Sequence, residues 1–349
     1  MITSYNHILV VQTAFIGDAI LTLPLIQTLK KNYPAAQIDV VVTPRTAEVF
    51  SHHPDISKIF SYDKRNTDRG IAGFFRFRKK LLTPRYDLAI VPHRSLRSAL
   101  LTASLHPAKS ICFDRSAGNW LFDLHVHYKS ELHEIDRNLS LLQPLGVREN
   151  ISAVPRLYPS NEDQSVVDTL WKQWKLKKNC VVAIAPGSIW ATKRWLPERF
   201  AETAKYFVQK KYCVVLIGGK EDRNLCEDIG AQAGNEGVLV AAGNLSLLQS
   251  AELIRRCNLL LSNDSAPLHL ATAVQTPVVA IFGATVPQFG FAPRGKRDVV
   301  LGVEGLFCRP CAIHGGKSCP LGSFDCMNNL SVPMVVQAME KILEMKITD

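Results

Sequence analysis

Short runs of consecutive apolar, largely β-branched residues recur along this chain, and longer amphipathic stretches separate them. In the first half the runs fall at 7–11 (HILVV), 38–42, 58–60 and 88–91. In the second half they fall at 181–185 (VVAIA), 213–217, 238–241, 259–262 and 278–282. A strand with one wet face alternates polar with apolar residues. Apart from His7, Asp39, Lys58 and Ser262 these runs are apolar, the pattern of strands buried on both faces. Helical patterns, for example at 197–211 and 247–256, fall between them. Such alternation predicts parallel sheets covered by helices, an α/β doubly wound class. The pattern weakens between residues 147 and 178, where VPRLYPSNEDQS reads as a linker followed by an amphipathic helix to Trp174. Two domains are therefore expected, 1–155 and 156–349, which suits a soft prior of roughly 150 residues per domain. In such sheets ligands bind at the carboxyl ends of strands, so the loops that follow strands are the place to look for chemistry.

Composition narrows the classes. Hydrophobic residues are 47% and charged residues 21%, the balance of a globular protein. No apolar run approaches the ~18 residues needed to cross a membrane. The N-terminal stretch lacks a basic region and a small-residue cleavage site, so no secretory signal and a cytoplasmic location are expected. Net charge is +10, from 41 basic and 31 acidic residues. Bases crowd the first third: Lys64, Arg65, Arg69, Arg76, Arg78, Lys79, Lys80, Arg85, Arg94 and Arg97. That excess suits a phosphorylated substrate or an anionic membrane face; a solvated charged surface is the plain alternative. Aromatic residues are not interleaved with the bases as a stacking platform would need, so nucleic acid is not an expected partner.

Four strand-end loops could carry chemistry. The first, TAFIGDAILTLP from residue 13, offers one glycine, Gly17, and sets an acid, Asp18, where a phosphate loop would present N–H groups. Asp18 would repel phosphate, so it is either a helix cap or a base. Pro24 is expected to kink or break the following helix and leave Asp18 on a separate turn. The loop PGSIWATKRWLPERF offers Gly187 and the hydroxyl of Ser188, then Lys193 and Arg194 just before a helix. Cations there oppose the helix dipole, a conflict that a bound anion removes; a solvated basic turn is the alternative. In GGKEDRN two glycines allow close approach, and Glu221 or Asp222 could accept hydrogen bonds from a ribose, unless Asp222 is only a helix cap. In NDSAPLHLATA, Ser265 is expected to cap a helix with Pro267 in its first turn, which leaves free N–H groups for a phosphate. Ala266 is small, and His269, one turn in, either faces the ligand or is a core histidine. No G-x-G-x-x-G or G-x-x-x-x-G-K-[ST] is present, against a dinucleotide dehydrogenase and a P-loop kinase. Taken together, the last three loops suggest a nucleotide-diphosphate site.

The order and spacing of five segments carry a resemblance. They are FIGDAILTLPLIQTLK, VPHRSLRSALL, PGSIWATKRWLPERF, NDSAPLHLATAVQTPVVAIFG and CRPCAIHGGKSCPLGSFDCM. With these, nearly the whole chain resembles the ADP-heptose:lipopolysaccharide heptosyltransferases of glycosyltransferase family nine, nearest the heptosyltransferase II branch. The resemblance implies a GT-B fold: two Rossmann-like domains facing an interdomain cleft, acceptor on the first and sugar nucleotide on the second. It implies inverting transfer of L-glycero-D-manno-heptose from ADP-heptose to the lipopolysaccharide inner core, second heptose onto first. A heptosyltransferase I or III acceptor is the near alternative.

It also implies roles. Asp18 would be the general base. Lys193 would meet the donor phosphates, with Gly187, Ser188, Asp264, Ser265, Ala266 and His269 beside it. Asp222, or Glu221, would meet the ribose. Gly17, Arg65, Arg69, His93, Arg94, Ser95 and Arg97 would bind the anionic acceptor of Kdo, heptose and lipid A. His93 departs from the family pattern, which has an asparagine in this region. No cofactor and no catalytic metal are implied, and the enzyme would sit peripherally on the cytoplasmic face of the inner membrane. The final helix is a candidate to pack back on the first domain. A nicotinamide-dependent dehydrogenase and a non-catalytic basic lipid-binding module are the rivals from other classes. Nine cysteines are expected to be reduced, and four of them, Cys308, Cys311, Cys319 and Cys326, form C-x2-C-x7-C-x6-C. That cluster suits structural zinc, packing thiols or a redox-labile pair.

Overall fold

The computed structural model describes residues 4–147 and 154–345. The chain divides into two compact units, Met1–Tyr158 and Pro159–Asp349. The first unit runs β1 (His7–Val11), α1 (Ile16–Asn32), β2 (Gln37–Val42), β3 (Lys58–Ser61), α2 (Gly70–Lys80), β4 (Leu88–Val91), α3 (Leu96–Ser104), β5 (Ser110–Phe113), β6 (Leu124–Val126) and α4 (Glu134–Ser140). The second runs α5 (Asn161–Gln173), β7 (Val181–Ala185), α6 (Pro197–Gln209), β8 (Cys213–Leu216), α7 (Arg223–Ala233), β9 (Val238–Val240), α8 (Leu247–Arg256), β10 (Leu259–Asn263), α9 (Ala266–Ala273), β11 (Val278–Ile281), β12 (Val299–Leu301), α10 (Asp325–Asn328) and α11 (Val332–Glu344).

Each unit holds one parallel sheet, ordered β3-β2-β1-β4-β5-β6 in the first and β12-β11-β10-β7-β8-β9 in the second. Counted from its own first strand, each sheet has the Rossmann order 3-2-1-4-5-6. The strand order therefore reverses between β1 and β4, and again between β7 and β10. Ligands of such sheets sit in the crevice at that reversal. The runs read as doubly covered strands are so: Ile8, Leu9, Val10 and Val11 are almost wholly buried, as are Val181 to Ala185. Strands β5, β6 and β12 had no counterpart in the apolar pattern. They are three or four residues long. Two of them, β6 and β12, are sheet edges that need less apolar cover.

Helix α1 runs unbroken through Pro24, so Asp18 stands on the first turn of this helix and not on the separate turn expected. Ten of its residues are buried, on more than one face, so packing rather than local propensity decides its course. Helix α4 lies against it, and the side chain of Asn138 donates to the carbonyl of Leu21 at 3.2 Å. A neighbouring helix thus braces the turn before Pro24, while the carbonyl that proline deprives of its donor is that of Ile20, four residues back. In the second unit α6 opens on Pro197, where a missing N–H costs nothing. Its buried stripe of Phe200, Ala201, Ala204 and Phe207 joins Trp195 in the core. Helix α11 contributes Val335, Met339 and Ile342 to that same core. Among the described residues no helix is long and apolar enough to cross a membrane.

Candidate active site

The reversal point of the first sheet gathers the loop after β1 and the loop after β4. Thr13 Oγ1 lies 2.8 Å from His93 Nδ1 and 3.2 Å from Ser98 Oγ. Lys64 Nζ donates to the Thr13 carbonyl at 3.2 Å. Burial pushes the His93 imidazole down to about 4, and the cations of Lys64 and Arg94 push the same way. His93 is thus a neutral hydrogen-bonding group at physiological pH. Ser95 caps α3 by accepting the Ser98 N–H at 3.2 Å. Arg97 donates to Tyr62 Oη at 2.6 Å and to the Asp68 carbonyl at 2.8 Å, so its guanidinium ties down the loop that follows β3. Arg65 and Arg69 on that loop are exposed. Arg94 is exposed as well and lies 4.0 Å over the Tyr128 ring.

Asp18 is the third residue of α1, and Phe15 holds the cap position, which corrects the reading of Asp18 as the N-cap. Its carboxylate turns back to accept the Phe15 N–H at 3.2 Å. Gly17 stands beside it in the first turn, half-buried.

One neighbour of Asp18 escaped the sequence reading. Helix α4 opens on Glu134, buried and paired with Arg137 at 2.9 Å (Nε to Oε2). Asn138 meets Leu21 and Thr22 of α1, and one turn earlier on each helix stand Glu134 and Asp18. Burial raises the Glu134 pKa to about 7; Arg137 opposes this, the charge of Asp18 adds to it, and Arg94 opposes it. An acid paired with an arginine three residues on, opening a helix after the last strand of the domain, was the available signal.

The reversal point of the second sheet gathers the loops after β7, β10 and β11. Lys193 Nζ donates to Asp264 Oδ2 at 2.6 Å, and Thr285 Oγ1 donates to the same oxygen at 2.6 Å. The pair is nearly enclosed, with the side chains 13% and 7% exposed. Asn263 spans the β7 and β10 ends: its Nδ2 donates to the Pro186 carbonyl at 2.8 Å and its Oδ1 accepts the Trp195 N–H at 3.1 Å. Ser265 occupies the cap position of α9 by its backbone, but its hydroxyl makes no capping bond, contrary to the expectation. That Oγ is buried and has no hydrogen-bond partner. Ala266 begins the helix and Pro267 follows it. His269 is buried, and burial pushes its pKa down to about 4, with Asp264 opposing and Lys193 adding to the shift.

Arg194 donates to the Ser188 carbonyl at 2.7 Å and is otherwise exposed. Gly187 and Gly218 both press on the Asp222 carboxylate, and a Cβ at either would strike it. Asp222 also accepts the Gly219 N–H at 3.0 Å. Burial raises its pKa, and the Gly219 N–H opposes the rise. A pocket of about 300 Å³ lies here, lined by Pro186, Arg194, Trp195, Phe200, Glu221 and Asp222 among others. Both ribose candidates, Glu221 and Asp222, thus reach the same pocket.

The cysteine-rich segment braces these loops. Arg309 donates to the carbonyls of Gly283 at 2.7 Å, Val303 at 2.9 Å, Phe282 at 3.0 Å and Thr285 at 3.1 Å. The N–H of Gly316 donates to Thr192 Oγ1 at 2.7 Å. Burial raises the thiol of Cys326, and Cys311, Cys319 and Cys308 add to the rise. Among the described residues no group of three or more His, Cys, Asp or Glu is arranged to hold a metal ion.

Two Rossmann units, each with polar side chains gathered at its reversal point, have the make-up of the GT-B fold class. The structure of the family 9 glycosyltransferase of Veillonella parvula superposes with a TM-score of 0.89, at 25% identity over 98% of both chains. That of Escherichia coli ADP-heptose lipopolysaccharide heptosyltransferase II gives 0.79, at 24% identity over 97% of this chain and 98% of that one. Residues 74–319 match glycosyltransferase family 9 (heptosyltransferase). Over 286 residues the chain is 30% identical to lipopolysaccharide heptosyltransferase 3 of Escherichia coli, covering 78% of this chain and 82% of the relative. Over 293 residues it is 27% identical to lipopolysaccharide heptosyltransferase 2 of Escherichia coli K12, covering 81% and 84%. The chain belongs to glycosyltransferase family 9. The dehydrogenase and the non-catalytic lipid-binding module are thereby set aside.

Proposed function

We propose that the chain transfers L-glycero-D-manno-heptose from ADP-heptose to the lipopolysaccharide inner core with inversion, adding the second heptose to the first. The acceptor hydroxyl attacks the anomeric carbon on the face opposite ADP. The new C–O bond forms as the bond to the β-phosphate oxygen breaks. Asp18 takes the hydroxyl proton. The departing phosphate gathers charge, which the Lys193 ammonium and the free N–H groups at the start of α9 stabilise without a metal. Asp264 and Thr285 hold the lysine in place, and Ser265 Oγ supplies a further donor. The acid end of the 300 Å³ pocket, Glu221 and Asp222, takes the ribose. Exposed Arg65, Arg69 and Arg94 meet the acidic sugars and phosphates of the acceptor. The enzyme works peripherally at the cytoplasmic face of the inner membrane.

The observation that carries this reading is the Lys193–Asp264 pair beside the unpartnered hydroxyl of Ser265, since it readies one cation and one helix end for an anion. Incubation with ADP-heptose and a panel of truncated cores, read by mass spectrometry, tests it. A mass gain of one heptose on the core that carries a single heptose is expected; no gain on any core rejects the activity. A different core acceptor is the second reading, favoured by the 30% identity to lipopolysaccharide heptosyltransferase 3, and the same panel decides it.

A further inference from the structure

The first unit carries a surface that its fold does not need. Helix α2 buries Gly73, Phe77 and Leu81 against the sheet. Gly73 comes so close to the Asp68 backbone that a side chain there would clash. A second apolar stripe looks outward: Ile71 is 78% exposed and Phe75 58% exposed, and Leu82 continues it beyond the helix end at 44%. Ile71 and Phe75, spaced by four, share one helical face. The stripe continues onto α3 and the turn beside it. The α2 residue Arg78 donates to the Ser104 carbonyl of α3 at 2.8 Å, which joins the two helices. Leu100 on α3 is 47% exposed, and Trp120, on the 3-10 turn Asn119–Leu121 that abuts α3, is 73% exposed. Large apolar side chains left exposed on adjoining elements and rimmed by polar residues mark an interaction site.

The charge around it identifies the occupant. Residues 64–85 hold eight basic side chains and one acid, Asp68. Lys79, Lys80 and Arg85 are exposed beside the apolar stripe. Apolar side chains that dip below a ring of bases match an anionic phospholipid surface, where bases meet headgroups and aromatic rings settle at the interface. A second copy of this chain would set the same bases against each other and is repelled.

We propose that the face formed by α2, α3 and the Trp120 turn docks the enzyme on an anionic phospholipid bilayer, with Ile71, Phe75 and Trp120 inserted between headgroups. This rests on the proposed reading for its purpose alone, since a core acceptor carried on lipid A lies in a bilayer.

Flotation of the full chain with vesicles tests it, using phosphatidylcholine alone and phosphatidylcholine mixed with phosphatidylglycerol. The chain is expected to float with the mixed vesicles and not with the neutral ones. Lys79→Gln with Lys80→Gln should weaken this binding about 25-fold, roughly fivefold for each base lost. Ile71→Ser with Phe75→Ser should weaken it by about tenfold or more. All four residues are exposed and outside the candidate active site, so transfer to a deacylated, water-soluble core should be unchanged in both variants. Equal flotation of the parent and both variants, or no flotation of the parent, overturns the docking face even where transfer to soluble core persists. Flotation without transfer overturns the activity and leaves the face standing. A dimer in sedimentation that Phe75→Ser dissolves would assign the face to a second copy and overturn the bilayer.

Discussion

Glu134→Gln isolates the acid beside Asp18. In the folded chain burial carries the Glu134 pKa from 4.5 to about 7, against the pull of Arg137 and Arg94 and with the push of Asp18; Tyr128 is a further titratable neighbour. Between those two values the unfolded chain has lost this proton and the folded chain still holds it. The folded state then binds more protons, so stability falls as pH rises, by about 1.4 kcal/mol per pH unit. Across the window the loss totals about 3 kcal/mol, complete above pH 7. Glutamine keeps the size and an acceptor for Arg137 but cannot ionise. The variant should therefore match the parent near pH 5 and gain on it as pH rises. At roughly 2–4 °C per kcal/mol for a unit of this size, the melting temperatures should separate by about 5–10 °C at pH 8. Thermal denaturation followed by circular dichroism from pH 5 to pH 8 reads this directly. Parallel melting curves for the two proteins, or a gap that closes toward pH 8, would refute a buried, proton-holding Glu134.

Asp18→Asn keeps an oxygen for the Phe15 N–H, so the fold should stand while turnover falls by about 100-fold to 10,000-fold and ADP affinity holds. Normal turnover in that variant would remove Asp18 as the base. Lys193→Ala leaves the Asp264 charge enclosed with only Thr285, so both melting temperature and ADP affinity should fall, the latter about tenfold to a hundredfold by calorimetry. Adding Asp264→Asn should restore stability and not affinity; restored affinity would place the lysine outside the donor site. Ser265→Ala removes a hydroxyl that has no partner in the protein, so the melting temperature should hold or rise slightly while ADP affinity drops several-fold. A lower melting temperature with unchanged affinity would return Ser265 to a structural role.

The parts of this chain that local chemistry dictates were legible from its residues. Nine strands announced themselves as short runs rich in apolar, β-branched residues, and both reversal points follow once the strand order is known. Leu124–Val126 did not, because three residues with the exposed His125 at their centre are too few to show a run. Pro24 misled for a related reason: a local helix breaker says nothing of the packing that buries ten residues of α1 and carries the helix through. The site shows the same division. Asp18, Lys193 and the Asp264–His269 loop stood at strand ends and could be named. Glu134 became visible only through the packing of α4 on α1, and Lys64 only through its bond to Thr13. The bare hydroxyl of Ser265 could not be read from a residue type that usually caps.

The cysteine-rich segment is where these two levels meet, and Arg309 is its working part. Its guanidinium donates to four carbonyls, those of Phe282, Gly283, Thr285 and Val303, and Gly302 leaves the room it needs. Thr285 is the residue whose hydroxyl fixes Asp264, and Asp264 fixes Lys193. A chain of contacts thus runs from a residue between two cysteines to the ammonium assigned to the donor phosphate. Lysine at this place keeps the charge but offers one compact ammonium instead of a planar fork, so at least one carbonyl loses its donor. Each orphaned buried carbonyl costs about 1–3 kcal/mol, which sets the expected loss of stability for Arg309→Lys. The informative measurement is ADP affinity at a temperature where the variant is fully folded. It should fall several-fold, because Thr285 is no longer held and the lysine drifts from its place. A destabilised variant that binds ADP as tightly as the parent would show that the brace ends at the backbone and does not reach Lys193.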